Sequence, residues 1–300
     1  MKRSIIILFL LSLAACSNYD KDKYKGCVYI NDQDNICRYA FNKNGLYNRD
    51  TVLVFTRNAS GCFYGISAAP GCTLVCYVSS ENISRKGEYT LQYCLSITNT
   101  KTNQTDILIR DTIPLECPSI SPDNKNIAFS QKSKCAIYNI ATKIVGVWDT
   151  YTLTVTPCWA AEGKSLMIST ADGEIVRLSL EGKIIERYGS GFGPVISPDG
   201  KYIAFTDYID DHTIYVEDIK TKKRRTVASW GSLYLPHDHN TVYLCWSPDS
   251  KYILYQAWTP ISRITSWESR YVIVPVFKSG MPFSIAAVTG CGYGASWAAY

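Results

Sequence analysis

Short segments of alternating apolar and polar residues recur along this chain, and polar turns separate them. Tyr202–Phe205 begins one such segment, and Thr213–Asp218 and Arg225–Ala228 follow it after further polar residues. Segments of this length and composition predict β-strands rather than helices. The chain also holds 22 Tyr and 7 Trp, and aromatic residues are enriched on sheet surfaces. The pattern therefore predicts an all-β protein.

A turn motif precedes these strands and repeats along the chain. In Ser197-Pro-Asp-Gly200, Pro sets the backbone angle of the first central turn position, Asp is tolerated at the second, and Gly closes the turn. Three clear copies and one weaker copy occupy Pro118–Phe129, Pro194–Phe205, Leu244–Tyr255 and Pro157–Ile168. The aligned residues Ile120, Trp159, Ile196 and Trp246 lie 39, 37 and 50 residues apart. Four short strands in a unit of about 40 residues are typical of a β-propeller blade.

Two looser copies extend the series to six. Ile66–Tyr77, in which Ile66 is aligned with Ile120, carries the same turn with one extra residue, and Ala295–Trp297 begins a copy that the chain has no room to complete. Candidate strands that could complete this last copy lie near the N-terminus, at Cys27–Ile30, Ile36–Phe41 and Thr51–Thr56. We therefore predict a β-propeller of six four-stranded blades, in which the N- and C-terminal strands share one blade. Such sharing closes the ring and removes open sheet edges.

The Ser-Pro-Asp-Gly repeats resemble those of the TolB-type propellers, a six-bladed family found in periplasmic proteins, over roughly residues 60–260. The resemblance implies the same ring of blades. TolB has an additional N-terminal domain, which residues 17–60 are too short to form, and TolB carries no lipid. Because of these departures, the resemblance does not extend to a Tol–Pal role.

The first residues are typical of an export signal. A basic start precedes an apolar stretch that is far shorter than the roughly 20 residues of a membrane-crossing helix. Leu13-Ala-Ala-Cys16 resembles the lipobox of bacterial lipoproteins, in which the Cys thiol receives a diacylglyceryl group before cleavage. Ser17 resembles the residue that directs such proteins to the outer membrane in enteric-type bacteria. The predicted organisation is a signal peptide at residues 1–15, a tether at 16–24 lipidated on Cys16, and the propeller at 25–300.

The charge of the chain gives no sign of nucleic-acid binding. The formal net charge of +5 includes Lys2 and Arg3, so the chain without its signal carries about +3. The one basic run, Lys222–Arg225, is interpreted as a solvated hairpin turn.

Eleven cysteines follow Cys16. In an oxidising compartment some of them are expected to pair, and an odd number leaves at least one outside any intrachain bridge. Cys27 with Cys37, and Cys62 with Cys72, are close enough in sequence for hairpin-type bridges.

No catalytic constellation is recognisable in the sequence, which lacks the Gly-x-Ser-x-Gly elbow and any Cys-x-x-Cys. His237, Asp238 and His239 precede the predicted inner strand Val242–Trp246, where loops line the mouth of a propeller channel. Two histidines and a carboxylate are ligand types for a metal. In the related oligogalacturonate lyases channel histidines bind a metal, but only His212 remains to extend the pattern in this chain. We expect a polar loop that contacts a ligand or partner, with no metal and no cofactor.

The sequence thus predicts a membrane-anchored periplasmic or cell-surface lipoprotein whose propeller is a protein-binding or scaffold module of the bacterial envelope, and not an enzyme. Its expected partners are the membrane, through the lipid, and an envelope protein. Its expected location is the outer membrane, facing the periplasm. The alternative is a metal-dependent lyase or hydrolase that acts on a glycan at the channel mouth.

Overall fold

A computed structural model describes residues 26–32, 35–41, 47–54, 63–85, 88–151, 156–207, 213–228, 243–260, 267–277, 283–289 and 295–298. These residues form 24 strands in six four-stranded antiparallel sheets, each of which is one propeller blade. The described ranges contain no helix that is long and apolar enough to cross a membrane. The predicted all-β, six-bladed fold is confirmed.

Blades I to V each contain four consecutive strands, which follow one another from the channel outwards. Blade I contains β4 (Phe63–Ala68), β5 (Leu74–Arg85), β6 (Glu88–Asn99) and β7 (Thr105–Asp111). Blade II contains β8 (Leu115–Ile120), β9 (Asn126–Gln131), β10 (Lys134–Asn139) and β11 (Val145–Tyr151). Blade III contains β12 (Cys158–Trp159), β13 (Ser165–Ser169), β14 (Glu174–Ser179) and β15 (Ile184–Ser190).

Blades IV and V follow the same order. Blade IV contains β16 (Phe192–Ile196), β17 (Tyr202–Thr206), β18 (Ile214–Asp218) and β19 (Arg224–Ala228). Blade V contains β20 (Leu244–Trp246), β21 (Tyr252–Pro260), β22 (Trp267–Pro275) and β23 (Phe283–Thr289).

Blade VI is built from both ends of the chain, as the sequence predicts. It contains β24 (Ala295–Ala298), β1 (Cys27–Asp32), β2 (Asn35–Phe41) and β3 (Tyr47–Val54). The innermost strand β24 pairs antiparallel with β1, so that Val28 lies opposite Trp297. Because Tyr47 pairs with Phe41 at the end of β2, the third strand begins four residues before the predicted start at Thr51.

The innermost strands contact one another in a closed cycle, in the order β4, β8, β12, β16, β20 and β24. An apolar cluster fills each interface between neighbouring blades. Successive side chains of a strand point to opposite faces of its blade and so pack against both neighbouring blades. In β9, Ile127 and Phe129 pack against blade I, whereas Ala128 packs against blade III. Each fully buried large apolar side chain stabilises the fold by about 1.5–3 kcal/mol, so the ring depends on all its interfaces.

The Ser-Pro-Asp turns join the innermost strand of a blade to the second strand. In blade IV the Gly200 N–H donates to the Ser197 carbonyl oxygen at 2.8 Å. The Ser197 hydroxyl donates to Asp199 Oδ1 at 2.6 Å and accepts from the Tyr202 N–H at 2.9 Å. The other two clear copies make the same bonds. The Ser and the Asp of the motif are therefore explained by hydrogen bonds within the turn.

The turn of blade I has the same length as the other turns. The prediction of one extra residue in this turn is therefore wrong. The Ala69 N–H donates to the Leu74 carbonyl at 2.9 Å, and the Cys72 N–H donates to the Ala69 carbonyl at 3.1 Å. Ala68, and not Ile66, is therefore the residue directly before the turn. The sequence alignment missed this register because the copy lacks the Ser and the Asp that mark the other turns.

Gly200 closes its turn with a φ of 71°, in the left-handed region. A Cβ atom added to it would lie 3.9 Å from the Ala161 Cβ, so a side chain has room. Gly200→Val is therefore expected to lower the free energy of unfolding by about 1–3 kcal/mol through backbone strain alone. Gly200→Asn is the control and should be nearly neutral, because Asn124 adopts a φ of 60° at the equivalent position. Denaturant titration measures both; a Val variant as stable as the parent would contradict the assignment.

The pairing of β1 with β2 excludes one predicted disulfide. Cys27 lies opposite Ala40, and Cys37 lies opposite Ile30. The two cysteine side chains belong to clusters on opposite faces of blade VI, whereas a disulfide needs Cβ atoms within about 4.5 Å. The predicted Cys27–Cys37 bridge is therefore wrong. Cys62 lies outside the described residues, and the Cys62–Cys72 bridge stays a prediction.

Candidate functional site: the central channel

The six innermost strands surround a central channel, and each contributes one equivalent residue to its lining. We call these residues the channel layer; each stands one position before the residue equivalent to Ile120. The channel layer consists of Ser67, Ser119, Cys158, Val195, Cys245 and Ser296. It lines a cavity of about 210 Å³. The cavity extends from Thr156 and Tyr243 to Pro198, an exposed turn residue.

Four channel-layer side chains accept hydrogen bonds from the backbone of the next blade. Ser67 Oγ accepts from the Ile120 N–H at 3.1 Å, and Ser296 Oγ accepts from the Ala68 N–H at 3.0 Å. At two further interfaces sulfur takes the place of oxygen. Cys158 Sγ accepts from the Ile196 N–H at 3.2 Å, and Cys245 Sγ accepts from the Trp297 N–H.

Tryptophan side chains bridge the other two interfaces. Trp159 Nε1 donates to the Ser119 carbonyl at 2.9 Å, and Trp246 Nε1 donates to the Val195 carbonyl at 3.0 Å. All six interfaces therefore carry a hydrogen bond beside the channel. The bonds hold the channel layer on a rigid ring, which is the kind of scaffold that positions a binding site precisely.

A β-bulge interrupts several innermost strands at the end of the channel where these strands begin. In β4 and β16 the bulge includes a glycine in the left-handed region, Gly65 with a φ of 110° and Gly193 with a φ of 59°. In β8 the equivalent residue is Cys117, with a φ of 52°. A side chain in this conformation is uncommon and strained. Backbone strain of this kind clusters at functional sites. Cys117 is therefore a candidate functional residue at this end of the channel.

The Cys117 thiol is hydrogen-bonded to the hydroxyl groups of Thr156 and Tyr243. Tyr243 directly precedes β20, which lies opposite β8 in the ring of innermost strands. The Tyr243 side chain therefore reaches across the channel to Cys117. Tyr243 and Thr156 thus line the cavity where the innermost strands begin, and Pro198 lies at its exposed turn end.

Burial raises the pKa of the two thiols that line this cavity, Cys158 and Cys245, and of the Cys117 thiol beside Tyr243. The pKa of Cys158 rises to about 11, and those of Cys245 and Cys117 rise to about 12. Burial also raises the pKa of the Tyr243 phenol well above its usual value, and that of the Glu116 carboxyl beside Cys117. The three thiols and the phenol are therefore protonated at neutral pH. A protonated thiol is a much weaker nucleophile than a thiolate.

The residues predicted from the sequence lie outside the described residues. This holds for the lipid attachment site Cys16 and for the loop residues His237, Asp238 and His239. Sequence reasoning missed the channel layer, although a signal was present. Each of its residues stands two positions before the turn, and strand alternation directs that position towards the channel. Within the described part of the chain no three His, Cys, Asp or Glu side chains are close enough to hold a metal.

The chain matches no known protein-family profile. An uncharacterised protein of Agrobacterium fabrum is 36% identical over 89 residues, which are 27% of this chain and 30% of that protein. The chain thus spans about a third of the curated relative that it matches.

Solved structures give a broader likeness. TolB from Acinetobacter baumannii superimposes with a TM-score of 0.64 at 13% identity, over 98% of this chain and 71% of that one. A putative TolB from Agrobacterium tumefaciens gives 0.58 at 14% identity, over 91% and 92%. An oligogalacturonate lyase in complex with manganese gives 0.55 at 14% identity, over 84% and 74%. At this level of identity a likeness shows the fold alone, and the fold of this chain is a TolB-like six-bladed propeller.

Proposed function

We propose that this chain is a lipid-tethered envelope protein whose propeller binds an extended segment of a partner protein at the turn end of the central channel. The observation that carries the proposal is the lining of the channel. It presents hydroxyl groups, protonated thiols and the edges of Trp246 and Trp297 on strands held by a closed ring of hydrogen bonds. A mostly apolar cleft with a few fixed polar groups is the usual form of a binding site. Such neutral groups suit the main chain of a polypeptide better than a charged ligand.

The protonation of these groups supports binding rather than catalysis. Covalent catalysis needs an activated nucleophile, which for cysteine means a lowered pKa. Burial moves the pKa of Cys117, Cys158 and Cys245 in the opposite direction. We therefore propose that these three thiols act as small polar packing groups and hydrogen-bond acceptors.

The N-terminal sequence supports the membrane tether. A basic start, a short apolar stretch and Leu13-Ala-Ala-Cys16 together favour export and lipidation at Cys16. Two or three acyl chains hold a protein firmly to a membrane, whereas one does so only marginally. We propose the outer membrane, facing the periplasm, as the location, and the membrane and an envelope protein as the partners.

The two arginines of the basic run Lys222–Arg225 are exposed but make contacts within the fold, which supports the proposal that nucleic acid is not a partner. Arg224 begins β19, and its guanidinium lies 3.2 Å from the buried Glu217 carboxylate. Arg225 donates to the Val276 carbonyl of blade V at 2.7 Å. Of the four residues in the run, Lys222 and Lys223 lie in the connection between β18 and β19, and the two arginines lie in β19. The predicted solvated hairpin turn therefore contains half of the basic run.

The second candidate is a metal-dependent lyase or hydrolase that acts on a glycan. One observation favours it: the chain shares its fold with a structure described as an oligogalacturonate lyase in complex with manganese. His237, Asp238 and His239 would be the first residues to consider as metal ligands. Fold does not determine function, because propellers host many unrelated activities.

Metal analysis separates the two candidates. We expect the purified full-length chain to contain no stoichiometric metal at neutral pH, and the double variant His237→Ala and His239→Ala to leave metal content and melting temperature unchanged. His212→Ala is the matched control. If the second candidate holds, plasma mass spectrometry will find about one metal per chain, lost in the double variant but not in the control. That metal would also leave as the pH falls below about 6, since protons compete for the imidazole nitrogens.

A further inference from the structure

Two buried cysteines meet where blade VI packs against blade I. Cys27 lies in β1 and Cys72 closes the turn between β4 and β5; their side chains belong to the same apolar cluster and are 1% and 7% exposed. The Cys72 thiol hydrogen-bonds with the Cys27 thiol and also donates to the Ala298 carbonyl at 3.6 Å. Ala298 is the residue directly opposite Cys27 in the pairing of β24 with β1. The shared cluster and the contact of Cys72 with the strand partner of Cys27 therefore place the two cysteine side chains next to each other.

The backbone of Cys72 adopts an unfavourable conformation in this position. Its φ is 53°, in the left-handed region, where the equivalent residues of other turns include Asn124 and Gly200. Asn and Gly tolerate this conformation better than other residues do. The Cys72 carbonyl accepts from the Tyr29 hydroxyl at 3.1 Å and from the Thr100 hydroxyl at 2.7 Å. These bonds fix the backbone of Cys72 from blade VI and from blade I.

We propose that Cys27 and Cys72 form a disulfide that fastens blade VI to blade I, in place of the Cys62–Cys72 bridge expected from sequence spacing. The bond needs an oxidising compartment and in the cell therefore depends on the export step of the proposed function. The geometry of the pair is a property of the folded chain and can be tested without export.

The oxidant is a disulfide, carried by an oxidoreductase or by oxidised glutathione. One cysteine of the pair, as a thiolate, attacks the disulfide of the oxidant, which gives a mixed disulfide and releases one thiol. The second cysteine then attacks the sulfur of the first and releases the second thiol. The pair loses two electrons and two protons, and the oxidant is reduced to two thiols.

The bond is expected to form while the chain folds, before the interface closes. The hydrogen bond with the Cys27 thiol and burial raise the pKa of Cys72 in the folded protein, and a buried, protonated thiol reacts slowly. Once formed, the bond links residues that are 45 positions apart and so restricts the unfolded chain considerably. It acts at the blade on which closure of the ring depends.

Peptide mapping tests the pair directly. The full-length chain is denatured, reduced and refolded in a glutathione redox buffer, alkylated, and cut with chymotrypsin without further reduction. Cleavage after aromatic residues and Leu separates the neighbouring cysteines, because residues 25–29 carry only Cys27 and residues 65–74 carry only Cys72. We expect mass spectrometry to find these two peptides joined, with the loss of two hydrogens. Recovery of both peptides as alkylated thiols, or of Cys72 joined to Cys62, overturns the proposal.

Thermal melting gives a second readout. The oxidised parent is expected to melt roughly 5–10 °C above the reduced parent. Cys27→Ala and Cys72→Ala should each abolish this difference, whereas Cys76→Ala, a buried neighbour in β5, should keep it. A difference that survives in both single variants contradicts the proposal. If the bond forms in the refolded chain but is absent from protein isolated from cells, the pair is correct and the proposed export is wrong.

Discussion

Removal of Gly294–Tyr300 is expected to unfold the whole domain rather than to fray one end. The deletion removes β24, the innermost strand of blade VI, which pairs with β1 and also contacts β4 and β20. It takes Trp297 out of the cluster between blades V and VI and removes the backbone N–H bonded to Cys245. Ser296 Oγ, which accepts the Ala68 N–H, is lost as well.

We expect a loss of about 5 kcal/mol or more, which is as large as the whole stability of many domains. Circular dichroism melting of the truncated chain measures this directly. The control is a circular permutant of the full sequence that opens between Thr112 and Ile113, two exposed residues between blades I and II. The permutant keeps the β24–β1 pairing and should melt cooperatively. A truncated chain that melts within a few degrees of the parent would contradict the shared blade.

Cys16→Ala is expected to abolish lipid attachment completely, because the thiol of Cys16 is the predicted acceptor of the diacylglyceryl group. In a bacterial host, the variant should incorporate no labelled fatty acid and should accumulate as the uncleaved precursor. Metabolic labelling followed by electrophoresis measures both effects. Ser17→Ala keeps the cysteine and serves as the control, which should be labelled and cleaved like the parent. A Cys16→Ala protein that is still cleaved and released would show that the signal is an ordinary secretory one.

The sequence predicts most of the fold because the turn chemistry is local. Ser197, Asp199 and Gly200 form a self-contained set of hydrogen bonds and a left-handed residue. The spacing of such turns therefore identifies the blades that carry them without any knowledge of distant contacts. Where a copy lacks these residues, as in the turn that begins at Ala69, the sequence does not show where the turn starts. The sequence alignment therefore placed Ile66, and not Ala68, directly before this turn. The start of β3 was missed for a related reason, since it depends on pairing with β2 and not on a turn motif.

The site was harder to predict because it depends on residues from separate blades. Tyr243 and Cys117 are far apart in sequence, and only closure of the ring brings β20 opposite β8. The left-handed conformation of Cys117 is equally invisible, since the sequence shows a cysteine where two other blades have glycine. The contact between Cys27 and Cys72 likewise arises from the packing of blade VI on blade I. Spacing along the chain instead suggested a bridge to Cys37.

Crosslinking inside cells tests the central claim most directly. A photoreactive amino acid replaces Pro198, which is exposed at the turn end of the channel, and in a second strain replaces Ser84, which is exposed on β5 away from the channel. If the channel binds a partner segment, illumination should join the Pro198 position to one discrete envelope protein, and the Ser84 position should give no such product. Identical products at both positions, or none at Pro198 in cells that carry the lipidated protein, would contradict binding at the channel.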